Sequence, residues 1–299
     1  MNPEYIPEIP HPEHPEHDWL KNAAETAVAE KVAEMDIGLD LDRHPELRSR
    51  LAEIGSHFED SLAMARIVQA LYGQLREPLG LTDDKPQRLM RAAVLHDIGK
   101  SGPPGQETDF HVAVRRLFVP PGQPFNPYID GRAKTISEFV LERDMARPEE
   151  IISALKAEGI DPEKEPMIDF WRRHADWSYG ILAAETGPDV DPELVNIAAS
   201  HHFLENRNPA ALDVNRVPAE AHVLEVLEQV ELLTAIDKYQ AMRGRGRLKH
   251  AAAVARLAEA IESRTDLPEA LREKFRKVID VLGKSKEDLE RFFRRESGA

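Results

Sequence analysis

Apolar residues recur at helical spacings of three and four along most of this chain, and no stretch alternates convincingly as a strand would. Asp18 is placed to cap a helix running to about Met35. His44-Pro45 opens a second, because proline suits the first helical turn, and that pattern runs to about Leu75 with a break near Gly55. A further helix from about Lys85 carries Leu89, Ala93, Val94 and Leu95 and ends in the pair His96-Asp97. Residues 101–132 break the pattern. Here SGPPGQ and FVPPGQPFNPYIDG are proline- and glycine-rich loops around a short amphipathic segment, ETDFHVAVRRLF. Helices resume over about 133–145, 148–158 and 166–186, then from Pro192 to His201-His202, and from Pro218 to about Met242. Two or three charge-rich helices over about 249–263, 268–282 and 285–295 read as a partly exposed outer layer. Residues 1–17 form a Pro/Glu/His-rich tail without core-forming pattern, and its His11, His14 and His17 read as solvated. With neither an internal repeat nor a clear linker between 18 and 296, the expectation is one all-α domain with a loop-rich insertion at about 101–132.

Several of these apolar faces carry an ionisable residue. His57 lies in the row Ile54, Ser61, Met64, Val68; His174 accompanies Met167, Phe170, Trp171 and Ile181; His201 follows Leu194 and Ile197; Asp237 follows Val223, Leu227, Val230 and Leu233. A single buried histidine is ordinary, and His96-Asp97 alone reads as a capped helix end. A buried carboxylate is harder to accommodate, since an unpaired charge in a core is costly. One shared metal centre accounts for all of these positions at once. Imidazole and carboxylate are both good ligands for divalent transition metals, and Lys100, one turn beyond the pair, can lean over whatever they hold. His111 and His250 lie near basic segments that read as exposed, His44 precedes a proline, and His222 is far along the helix from Asp237; none is assigned a role.

Composition narrows the chemistry. With no cysteine, thiolate metal sites and disulfides are excluded, so a metal must rest on His, Asp and Glu. A net charge of −15 disfavours binding a nucleic-acid polymer, while leaving room for a local basic pocket and a small phosphorylated substrate. The N-terminal MNPEYIPEIP lacks the regions of a signal peptide, and no apolar run reaches membrane-spanning length, so a soluble cytoplasmic protein without membrane contact is expected. A homodimer is compatible with this composition.

The order His57, His96-Asp97, Asp237, carried by SHFEDSLAMARIVQAL, LMRAAVLHDIGKSG and LLTAIDKYQAM, resembles the four-ligand signature of HD-superfamily metal-dependent phosphohydrolases. His174 in RRHADWSYGIL and His201-His202 in AASHH resemble the two-metal subset, closest to the HD-GYP type, with the match covering roughly residues 50–265. The resemblance implies an HD-domain helical bundle with a dinuclear centre. His57, His96 and Asp237 would hold one metal, His174, His201 and His202 the second, with Asp97 bridging. Two divalent ions about 3.5–4 Å apart would activate a hydroxide and polarise the phosphoryl oxygens; iron or manganese suits this ligand set, and zinc is compatible. The implied activity is hydrolysis of a phosphoester in a nucleotide or cyclic (di)nucleotide, with Lys100 stabilising charge on the phosphate. The GYP segment is degenerate, because HHFLENRNP replaces its Glu with Phe203, lacks its glycines and tyrosine, and brings Pro209 early. Arg243, Arg245 and Arg247 could bind phosphate, or could serve as positive charge at a helix C-terminus. Two alternatives share the fold: a di-iron oxygenase resembling myo-inositol oxygenase, to which the long gap between Asp97 and His174 points, and a non-catalytic signalling module. His202 favours the hydrolase, since it would fill a coordination position an oxygenase tends to leave open. Residues 101–132, with Phe118, Phe125 and Tyr128, are expected to wall the metal cleft.

Overall fold

Proline and glycine set the first helix boundaries as the pattern predicts. Pro45 opens α2 (Pro45–Glu53), and Gly55, at φ 50°, turns the chain into α3 (Ser56–Leu79). The computed structural model describes the backbone of residues 17–81, 86–118, 128–129, 132–185, 187–202, 221–244 and 246–290. These are nearly all helical: α1 (His17–Glu34) precedes α2, and α4 (Gln87–Leu95) follows α3. A 3-10 turn (Ile98–Ser101) is succeeded by α5 (Asp109–Phe118), α6 (Ile136–Glu142), α7 (Pro148–Ala157), α8 (Met167–Ala184) and α9 (Pro192–Ala199). The C-terminal part holds α10 (Ala221–Arg243), α11 (His250–Glu262) and α12 (Glu269–Lys284). Among the described residues the insertion also holds a small antiparallel ribbon, β1 (Tyr128–Ile129) against β2 (Arg132–Ala133). Phe125, Phe203, Pro209, Arg245 and the side chain of Tyr128 lie outside the described residues, as do the tail histidines His11 and His14.

Two compact units make up the chain, and neither is one continuous stretch. The first comprises residues 1–35, 39–58 and 97–189, the second 36–38, 59–96 and 190–299. In the first, Phe110, Leu117, Phe139, Ile151, Leu155, Met167 and Phe170 form an apolar cluster against which Trp171 and Trp177 pack. Helix α6 enters that unit through a capping box: Thr135 accepts from the Glu138 backbone N–H, and the Glu138 side chain accepts from that of Thr135. In the second unit, Pro192 occupies the first turn of α9 and the Asp191 side chain accepts from the Leu194 N–H. Helices α11 and α12 bury Leu257, Ile261, Phe275 and Leu282 and turn charge outward, with Arg276 bridging Glu262 and Glu269, as expected of an outer layer. Among the described residues no helix is long and apolar enough to cross a membrane.

The exposure expected for two histidines is corrected: His111 and His250 are 5% and 4% exposed. Each has both ring nitrogens engaged by protein. His111 meets Thr108 and the Pro103 carbonyl, while His250 meets the Tyr239 hydroxyl and the Gly283 carbonyl. Nearby basic residues marked these segments as polar, but the apolar faces of their own helices carry the rings inward.

Candidate metal centre

In the first unit the chain leaves His96-Asp97 through the 3-10 turn, and Gly99 is what lets that turn lie on α8. A Cβ at Gly99 would meet the His174 carbonyl oxygen at 2.0 Å and the Ser178 nitrogen at 2.6 Å. The Gly99 N–H donates to Ser178 Oγ at 2.9 Å. From the other side buried Arg50 donates to Ser101 Oγ (3.2 Å) and to the Gly105 carbonyl (2.9 Å). The backbone carrying Asp97 and Lys100 is therefore fixed to the helix carrying His174.

Asp97 and Lys100 are 4% and 6% exposed, and His174 is 3% exposed. The two oxygens of Asp97 serve different partners. Oδ1 lies 3.0 Å from His174 Nε2, whereas Oδ2 accepts from the Lys100 ammonium. The same ammonium lies 3.2 Å from His57 Nδ1. His57 Nε2 faces the Phe118 carbonyl at 2.9 Å, and the Phe118 ring stands edge-on to His174 with centroids 5.5 Å apart. Phe118, predicted as part of the insertion's wall, thus braces both histidines of this unit.

In the second unit His96 caps the C-terminal end of α4, and its Nε2 lies 3.8 Å from Asp237 Oδ1 on α10. The His96 ring is edge-on to His201 (centroids 4.8 Å apart), which lies against His202 (4.3 Å) just past α9. Burial alone would push the Asp237 carboxyl up. The facing imidazole of His96, then Lys238 and His201, overcome this and hold it below the usual carboxylate range. The cationic groups around Asp237 thus favour its charged form.

One arrangement recurs in both units. His96 Nδ1 lies 2.7 Å from the Ala93 carbonyl, His201 Nδ1 lies 2.8 Å from that of Ala198, and His174 Nδ1 meets that of Trp171. A carbonyl can only accept, so in each case Nδ1 carries a hydrogen and Nε2 is the nitrogen turned away from the helix backbone. Fixing one nitrogen to orient the other is how proteins prepare a metal-ligating imidazole. His57 follows the same logic with the nitrogens exchanged. His44 does not, since Glu185 (3.3 Å) and Asp189 (3.1 Å) flank both its nitrogens. Burial opposes protonation of His44, but the two carboxylates outweigh it and raise its pKa, marking a structural ion cluster.

Two of the three arginines predicted to bind phosphate lie within the described residues. Arg243 donates to the Leu248 carbonyl (3.1 Å) and pairs with Glu290 (3.0 Å), and Arg247 is exposed with φ 50°. Sequence reasoning missed Ser178, which its spacing of four from His174 could have revealed, and Arg50, whose charge reads as surface. The Phe118 carbonyl, being backbone, leaves no sequence signal.

These contacts yield a contrast between two glycines. Gly99→Ala should cost about 1–3 kcal/mol of stability or more, because backbone rather than a flexible side chain blocks the methyl group. Gly73→Ala, where a Cβ meets nothing within 4 Å in α3, should be neutral or slightly stabilising. Thermal denaturation of both variants checks this; equal melting temperatures would show that the turn can move off α8.

Buried histidine and aspartate groups among the described residues could hold a metal ion. No family model, curated protein or solved structure matches the chain.

Proposed function

We propose that the chain is a metal-dependent phosphohydrolase of the HD-superfamily type, acting on a phosphoester in a nucleotide or cyclic (di)nucleotide. His57, His96, Asp97, His174, His201, His202 and Asp237 would hold two divalent ions, iron or manganese being best suited to a cysteine-free set of imidazoles and carboxylates, with zinc compatible. The observation that carries this reading is the division of Asp97 between two histidines. One oxygen is turned to His174, and the other to the cation beside His57. A carboxylate so divided has the form a bridging ligand needs. His96 precedes it by one peptide bond.

Bound divalent ions would supply an activated water and Lewis-acid polarisation of the phosphoryl oxygens. The residues of the chain would do the rest. Carbonyl-anchored imidazoles hold their tautomers through the reaction, Asp97 and Asp237 balance charge, and Lys100 meets the developing negative charge on the phosphate. The 3-10 turn, held by Gly99, Ser178 and Arg50, keeps Asp97 and Lys100 in register with His174.

The test is turnover after metal removal and reconstitution. Chelated protein should be inactive towards a panel of nucleoside monophosphates, cyclic mononucleotides and cyclic dinucleotides, and manganese should restore cleavage of at least one class. Absence of cleavage with manganese, iron and zinc alike would refute the reading.

A further inference from the structure

The cation that Asp97 and His57 hold in this structure is one the chain itself supplies. We infer that Lys100 occupies the cation position of the His57–Asp97 pair when no metal is bound, and gives it up when a metal enters; this rests on the metal-dependent reading above. The ammonium contacts Asp97 Oδ2 and lies 3.2 Å from His57 Nδ1. Those are the two atoms the pair would offer a metal, because Phe118 engages the other nitrogen of His57 and His174 faces the other oxygen of Asp97. Lys100 and a metal ion therefore compete for one set of lone pairs. Lys100 is 6% exposed and Asp97 is 4% exposed, so without a metal the lysine offsets the charge of a buried carboxylate.

Displacement gives the lysine a second task. Expelled from the ligand atoms by a divalent charge, it must move to a new anion, and the phosphate of a substrate is the anion the proposed reaction brings. One residue would then balance the empty site and bind substrate in the loaded one, so that the chain offers its anion-binding cation only after the metal has arrived. Its place three residues after Asp97, on the 3-10 turn fixed by Gly99, Ser178 and Arg50, keeps its backbone beside Asp97.

Two measurements test this on the full chain with manganese or zinc as the only added ligand. The first is metal affinity by titration of wild type and Lys100→Met, with circular dichroism as the control for folding. Removing the competing ammonium should tighten binding by on the order of tenfold. The second is acylation of Lys100, read by peptide mass spectrometry with and without metal; labelling should be slow in the metal-free protein and rise several-fold on loading. Tighter binding without a change in labelling would overturn the inference, because it would mean repulsion at a distance rather than displacement. Equal affinities with unchanged labelling would overturn it as well, while the metal-dependent reading would stand. If wild type and folded Lys100→Met both bind no metal, that reading falls and takes this inference with it.

Discussion

Asp97→Ala protein should emerge from purification with no metal, whereas His202→Ala should keep one ion if the proposed assignment of the first site holds. The asymmetry follows from the way the Asp97 oxygens are divided between His174 and the cation beside His57. Removing Asp97 also takes the counter-ion from the buried Lys100 ammonium, so the variant should lose stability, and breaking a buried pair typically costs about 3–5 kcal/mol. Asp97→Asn separates the two effects, since it keeps the volume while removing the charge a bridging ligand needs. Metal content by elemental analysis checks the prediction. Near-complete occupancy in Asp97→Ala protein would show that Asp97 is not the bridge.

Stability should fall as pH rises from about 5 to about 8, and Glu231→Gln should remove most of that dependence. Glu231 is completely buried on α10, and among the described residues neither carboxylate oxygen has a hydrogen-bond partner. Burial pushes its carboxyl up from 4.5 to about 8; the charge of Lys274 opposes this and that of Glu228 adds to it. Lys274 is itself paired with Glu228 at 2.8 Å. The sign follows from the two states. Above 4.5 the unfolded chain has released this proton while the fold retains it to about 8, so the fold pays a growing penalty across that window. The slope is ~1.4 kcal/mol per pH unit, or on the order of 3 kcal/mol by neutral pH, a large share of the stability of an ordinary domain. Glutamine mimics the protonated acid and cannot ionise. Chemical denaturation at pH 5 and pH 8 should give wild type a clear loss and Glu231→Gln a much smaller one. Parallel losses in the two proteins would place the pH dependence elsewhere.

Where the fold was legible, a residue with a strong backbone preference marked the boundary. Pro45, Pro148 and Pro192 open α2, α7 and α9, and Gly55 separates α2 from α3. The candidate site was legible to the extent that its histidines lie on apolar faces. His57, His96, His174 and His201 are all buried, as their spacing predicts. What could not be read was decided by contacts distant in sequence. Glu231 sits among Val230, Leu232 and Leu233, and a helix with one apolar stripe would turn it to solvent; only packing on several sides buries it. Arg243 reads equally well as a phosphate ligand or as helix-end charge, and Glu290, far along the chain, is what engages it. Lys100 was predicted to lean over a metal, and in this structure its ammonium is seated on Asp97 and beside His57, because the 3-10 turn brings it back onto Asp97. The separation of the chain into two units is of the same kind, since both are assembled from segments remote in sequence.

The measurement that bears most directly on the proposed activity is turnover of an activated phosphodiester by manganese-loaded protein with oxygen rigorously excluded. A phosphohydrolase needs an anion site and an activated water, and neither depends on oxygen. The account predicts product release at the same rate with and without oxygen, abolished by chelation and lowered on the order of 10²-fold in Lys100→Met, the loss typical of removing one oriented charge stabiliser. Turnover of an organic substrate that consumes oxygen and requires iron, with no phosphoester cleaved under any metal, would contradict the account and assign the same ligands to an oxygenase.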